Sequence, residues 1–275
     1  MIHVSLGGGG WKGMAQVPIC LEIEAGKWGE VNRLSGTSVG AINGALTSAG
    51  KMKSVGEPLW DSIDDRNIVD GIKGFLRPLP FGDALFDLKP IDDLMIKHLA
   101  LKDLKVPFGA GVVVRQTHKH HILWSKDMTT DLRLRNSVIA SAAISFLMSP
   151  VKMPVGDLKD AIVADGGHRW VLPIPDDLKK GDKLIVVSCN PIEQEPLPTP
   201  EVDGRMEALC WTIETMMSQA HERSIDKLKL LAANGVDVTL YAPRSSYGGL
   251  LKADKATLIK RKAEGEWMLD NPIKF

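Results

Sequence analysis

Four consecutive glycines, Gly7 to Gly10, follow the short apolar run Ile2-His3-Val4-Ser5-Leu6. A second glycine-framed turn, Gly36-Thr37-Ser38-Val39-Gly40, stands between another apolar run and the helical-looking Ala41-Ile42-Asn43-Gly44-Ala45-Leu46. A strand closing in glycines exposes backbone N–H groups with no side chain in front of them. A strand that turns sharply into a helix at a serine projects that hydroxyl. Strand, sharp turn, helix, repeated so close to the start of the chain, favours an α/β fold. It also places the two requirements of acyl transfer near each other: a nucleophile, and amides to hold an oxyanion.

The remaining pattern agrees with that fold class. An expected helix spans residues 12–27, a short second strand spans 31–35, and strands at 106–115 and 120–125 flank Gln116-Thr117-His118-Lys119. An Ala/Ser-rich helix over 134–147 precedes a short strand, 161–164, that ends at Asp165-Gly166-Gly167. Leu184-Ile185-Val186-Val187-Ser188 has the continuous apolar character of a strand buried on both faces. A proline-broken loop at 191–201, a long amphipathic helix at 206–233, a last strand at 236–241 and a final helix at 252–270 complete the reading. Strands alternating with helices predict a parallel sheet between helical layers. With no internal repeat or linker, residues 1–275 are expected to form one domain.

Composition excludes several function classes. The 34 basic residues balance the 34 acidic ones, so nothing favours nucleic acid or a strong electrostatic hold on anionic lipid. The three cysteines, Cys20, Cys189 and Cys210, are unpaired in spacing and suit a reducing compartment. The start of the chain lacks the pattern of a signal peptide, and no stretch approaches the ~20 apolar residues of a membrane span. A cytoplasmic protein is expected, any membrane contact being peripheral, local and apolar. The irregular segment 71–82, with Phe75, Leu76, Leu79 and Phe81 interleaved with Lys73 and Arg77, suits either an apolar lid or a piece of the core.

The chemistry-bearing motifs each have rivals. Gly8-Gly9-Gly10-Trp11-Lys12-Gly13 formally matches the G-x-G-x-x-G of dinucleotide sites, but the second strand ends in Leu34-Ser35 instead of the acid that holds a ribose. As an oxyanion loop, Gly8, Gly9 and Gly10 would offer amides, and the Val39 N–H at the start of the following helix would add another. Small residues at Gly36 and Gly40 let strand and helix pack closely beneath Ser38. The partner base is less obvious. His3, His98, His221 and the cluster His118, His120, His121 show no triad spacing, and that cluster reads as the solvated face of a hairpin instead of a metal site. His168 is a minor candidate. Asp165, at the end of an apolar strand before Gly166-Gly167, is either a turn-capping aspartate or a desolvated base.

Taken in order, the glycine loop at 8–13, the elbow at 36–40 and Asp165-Gly166-Gly167 resemble the patatin-like phospholipases. Leu85-Phe86-Asp87-Leu88-Lys89-Pro90-Ile91 and Ala140-Ser141-Ala142-Ala143 resemble the connecting segments of that family. The resemblance runs from Ile2 to about Pro173. It implies a three-layer α/β/α sandwich with a mainly parallel sheet, a Ser38–Asp165 dyad without histidine, and hydrolysis of lipid acyl esters of the phospholipase A type. No metal and no cofactor are implied. The glycine loop becomes the oxyanion hole, with Lys12 standing where an arginine is common. Ile144-Ser145 replaces a usual proline, and His168-Arg169-Trp170 is bulkier than the family norm, which bears on substrate fit. The competing readings are a general carboxylesterase on soluble short-chain esters, a scaffold that keeps the fold without turnover, and a dinucleotide-binding enzyme.

Overall fold

Among the described residues nine strands build one sheet: β1 (Ile2–Leu6), β2 (Arg33–Thr37), β3 (Phe108–Val114), β4 (Lys119–Trp124), β5 (Val151–Lys152), β6 (Ile162–Asp165), β7 (Lys183–Val187), β8 (Asp237–Tyr241) and β9 (Ile273–Lys274). The structure is a computed structural model. It describes residues 1–63, 88–145, 147–154, 156–193, 205–252 and 254–275. The sheet order is β5-β6-β3-β2-β1-β7-β8-β9, with β4 beside β3. The central five, β3-β2-β1-β7-β8, are parallel, and β4, β6 and β9 join them antiparallel. The possible lid at 71–82 and most of the proline-broken loop lie outside the described residues.

Alternation along the strands makes the layers. On β7, Ile185 and Val187 face one side together with Val4 and Leu6 of β1. There they pack on Ile19 and Cys20 of α1 (Val17–Glu24), Ala41 and Ala45 of α2 (Val39–Ser48), Leu134 and Val138 of α5 (Asp131–Ala142), and Leu258 and Met268 of α7 (Lys255–Asp270). Leu184 and Val186 face the other side, against Ile225 and Leu228 of the long α6 (Arg205–Ala233). Two shorter helices, α3 (Glu57–Ser62) and α4 (Lys89–His98), complete the described helices. The result is a three-layer α/β/α sandwich with a mostly parallel sheet.

Several boundaries differ from the sequence expectation. The first helical stretch begins as a 3-10 turn, Gly10–Gln16, and becomes α-helical only at Val17, beside Pro18. The Gln16 side-chain amide reaches back to the Gly7 carbonyl (2.8 Å) and holds that turn. β2 extends through Gly36 and Thr37 because both pair with β3, opposite Ala110 and Gly111. α5 starts earlier, where the Thr130 hydroxyl accepts from the Arg133 N–H at 3.2 Å. β8 is not the last strand, because β9 pairs antiparallel with it. β5 and β9 are two residues each, too short to carry a readable alternation.

Candidate active site

The register of β3 brings the two distant motifs together. β4 occupies one edge of β3 from Gly109 to Val114. β2 and β6 therefore share the other edge and meet head to head. β2 runs parallel to β3 and ends at Thr37, opposite Gly111. β6 arrives from the opposite direction and ends at Asp165, opposite Val112. Ser38, the next residue after Thr37, thus leaves the sheet one residue step, ~3.3 Å along the strand, from where Asp165 stops.

Ser38 sits in a strained turn, with φ 56° and ψ −127°. A non-glycine residue there costs on the order of 1–3 kcal/mol and must be held by its surroundings. Close backbone packing does the holding. A Cβ on Gly36 would overlap the Gly40 carbonyl, and a Cβ on Gly40 would overlap the carbonyls of Leu6 and Gly7. Ser38 caps α2 in position only, since its side chain makes no capping hydrogen bond. Its hydroxyl is therefore left for chemistry at the positive end of the α2 dipole.

Ser141 completes the support. Its hydroxyl accepts from the Ser38 N–H (3.0 Å) and donates to the Gly111 carbonyl (2.6 Å), tying the elbow to β3. Two residues on, the Ala143 carbonyl accepts the Asp165 N–H at 3.0 Å. One turn of chain at the end of α5 thus grips both halves of the site. Sequence reasoning assigned Ser141 no role, although Ala140-Ser141-Ala142-Ala143 was the signal that could have found it.

Asp165 is 2% exposed and Ser38 3% exposed. Asp165 Oδ1 accepts from the Gly167 N–H at 2.7 Å. Oδ2 is buried and has no hydrogen-bond partner among the described residues. Burial pushes the carboxyl above its ordinary range, while the nearby His168 ring, the neighbouring Ser38 hydroxyl and the Gly167 N–H pull the other way. The Ser38 hydroxyl is thus close enough to influence the acid, though short of full hydrogen-bond geometry, as is common before substrate tightens a site. Gly166 lies against the Gly111 carbonyl and Gly167 beneath Met217 of α6, which roofs the site.

The glycine loop divides its amides. Gly8, expected as an oxyanion donor, gives its N–H to the Val171 carbonyl (3.0 Å), so it lends space instead: a Cβ there would stand 3.1 Å from Ser38 Cβ. Among the described residues the N–H groups of Gly9, Gly10 and Val39 meet no acceptor. Lys12 Nζ donates to Asn190 Oδ1 at 3.0 Å and braces the loop from below.

Histidine is absent from the serine's hydrogen bonds. His3 contacts Ser35 Oγ (2.9 Å), and burial lowers its pKa to about 3. His221, enclosed within α6, is lowered to about 4 by the same desolvation. His168 Nε2 accepts from the Ser145 N–H at 3.1 Å, which engages that nitrogen. The hairpin histidines are not all solvated: His118 is exposed, but His120 turns inward beside Gly111, and burial lowers it to about 4. Cys20 and Cys189 are buried thiols pushed up to about 12, so neither is a nucleophile at neutral pH.

The sequence model described as Patatin-like phospholipase matches residues 4–178. The chain belongs to the patatin-like phospholipase family. Membership indicates a lipid acyl hydrolase, and the matched segment contains the glycine loop, the elbow and the Asp165 turn. No curated protein matches the chain in sequence. Among solved structures, the chain is similar to VipD from Legionella pneumophila at 13% identity and a TM-score of 0.47, covering 100% of this chain and 67% of that one. Beyond the family match, no helix among the described residues is long and apolar enough to cross a membrane.

Proposed function

We propose that this patatin-like protein is a serine hydrolase that cleaves acyl esters of lipids through a Ser38–Asp165 dyad. Asp165 takes the proton from the Ser38 hydroxyl as Oγ attacks the ester carbonyl. The N–H groups of Gly9, Gly10 and Val39 hold the oxyanion, and the alcohol leaves with the proton. Water, deprotonated by Asp165, then attacks the acyl-enzyme and releases the fatty acid. An aspartate is a weak base in water, with pKa about 3.9, but desolvation raises its basicity toward the task. The observation that carries the reading is the meeting of β2 and β6 on one edge of β3, which leaves an orphaned carboxylate oxygen beside a strained, uncapped serine.

All 275 residues act as one domain in this reading, because the sheet runs from β1 near the first residue to β9 near the last. The protein works in the cytoplasm and meets membranes peripherally, through its substrate. A fluorophosphonate probe should label the wild type and not Ser38→Ala. Hydrolysis of a lipid ester should be lost in both Ser38→Ala and Asp165→Asn. Full activity in a folded Ser38→Ala protein would refute the assignment.

A further inference from the structure

A cavity beside the site has a different chemistry from the dyad. A space of about 350 Å³ opens just beyond Gly167, lined by His168, Arg169 and Trp170 after the Asp165 turn, Met216 and Arg223 of α6, and His118 of the hairpin. His168, Arg169 and Trp170 are the residues that the sequence marked as bulkier than the family norm.

Two arginines line this cavity, Arg169 and Arg223. Arg33 pairs with Asp177, Arg133 faces Asp157, and Arg244 pairs with Glu264. Arg169 and Arg223 have no carboxylate or carbonyl partner among the described residues. Arg169 and Arg223 are both exposed on the wall of one cavity, so their two positive charges raise the potential there for an anion. Guanidinium forks match the oxygens of a phosphate in pairs, and their charge does not depend on pH. His168 adds polarity on the same wall: with Nε2 accepting from Ser145, the proton of its neutral ring lies on Nδ1. Trp170 and Met216 supply an apolar flank. Lys227, already paired with Asp176, stands over the Trp170 ring at 5.3 Å and adds positive potential nearby.

We infer that this cavity is the subsite for the phosphate of the substrate's polar end, with Arg169 and Arg223 as its two anchors. The inference rests on the acyl-hydrolase reading above, because a lipid ester bound at Ser38 must place its polar end within a few atoms of the scissile carbonyl. The volume suits a phosphate with a small alcohol attached, within the ~300–1,000 Å³ range of ligand pockets. The same chemistry would accept free phosphate, so the test separates the two sources.

Kinetics in uncharged detergent micelles, in a zwitterionic buffer, should compare a diacyl phospholipid with the diacylglycerol of the same chains. In Arg169→Gln/Arg223→Gln, the ratio of kcat/KM on the phospholipid to that on the diacylglycerol should fall at least fivefold, chiefly through KM. A smaller fall overturns the inference. Arg169→Lys/Arg223→Lys, which keeps the charge but loses the fork, should recover part of the ratio. Calorimetric titration of the Ser38→Ala protein with glycerol 3-phosphate and with inorganic phosphate reads the subsite without turnover. Glycerol 3-phosphate should bind, and the double glutamine variant should bind it at least fivefold more weakly. Binding of inorganic phosphate alone, with the lipid ratio unchanged, would make this a site for free anions and overturn the head-group assignment. Residual lipid hydrolysis by Ser38→Ala would instead refute the dyad, leaving the titration to judge the cavity by itself.

Discussion

Ser141 carries the most structural responsibility per atom at the site. Its one hydroxyl satisfies both the Ser38 N–H and the Gly111 carbonyl, and both are buried. Ser141→Ala leaves a donor and an acceptor unpaired, at a cost of about 1–3 kcal/mol each before relaxation. The elbow would shift by a fraction of an ångström, and misplacement of a nucleophile lowers kcat more than binding. We expect kcat to fall about 10–100-fold with KM within about threefold, read by steady-state kinetics on a short-chain ester; equal changes in both would contradict a positioning role. Asp165 supplies the second expectation at this scale. As a base it must be ionised, and burial raises its pKa above the ordinary 3.8. The acid limb of kcat/KM should therefore lie above that value, and a limb at or below it in the pH–rate profile would count against Asp165 as the base.

At the scale of elements, the strand–turn–helix unit depends on two backbones touching. Gly40, in the first turn of α2, lies against the carbonyls ending β1, where an added Cβ would meet the Gly7 oxygen at 2.6 Å. Overpacking costs about 1–3 kcal/mol where side chains can yield, and here only backbone could move. Gly40→Ala should therefore lower stability by on the order of 3 kcal/mol and the yield of folded protein with it, measured by denaturant titration; a loss under about 1 kcal/mol would show that the elbow is looser than it looks. The same unit explains what could be read from the chain. Its glycines, the serine and the apolar strands are local patterns, so β1, β2, β7 and α2 were visible within a few residues. The acceptor of the Gly8 amide is not legible in the sequence, because the Val171 carbonyl lies far along the chain. The head-to-head meeting of β2 and β6 was hidden for the same reason: it is a property of the pairing on β3, and no segment encodes it alone. β5 and β9 exist only because a neighbouring strand offers hydrogen bonds to two residues.

For the whole molecule, buried titratable groups oppose one another as pH falls. His3, His120 and His221 are lowered by desolvation to about 3, about 4 and about 4. Below pH 6.5 the unfolded chain protonates these rings while the folded protein does not, so unfolding takes up protons and stability declines with acid. At pH 5 the loss is about 2 kcal/mol per ring, since each pH unit is worth about 1.4 kcal/mol, or about 6 kcal/mol for three. Asp165 acts in the reverse sense. Its folded pKa is raised, so its contribution is restored as pH falls through that value, but one carboxyl returns at most about 2.7 kcal/mol over two units. The histidines win. From pH 7 to pH 5 the melting temperature should fall by about 10 °C, given roughly 2–4 °C per kcal/mol for a domain of this size. His221 offers the cleanest test, because its ring is fully buried. His221→Leu removes the titration while keeping an apolar side chain in a helix, so about a third of the histidine-linked loss, about 2 kcal/mol, should disappear, with no fall in the melting temperature at pH 7. Asp165→Asn should do the opposite: a higher melting temperature at pH 7, where the buried charge has gone, and a steeper decline toward pH 5. If instead both variants tracked the wild-type curve in parallel, burial of these groups would not govern the acid response, and the surface carboxylates would have to.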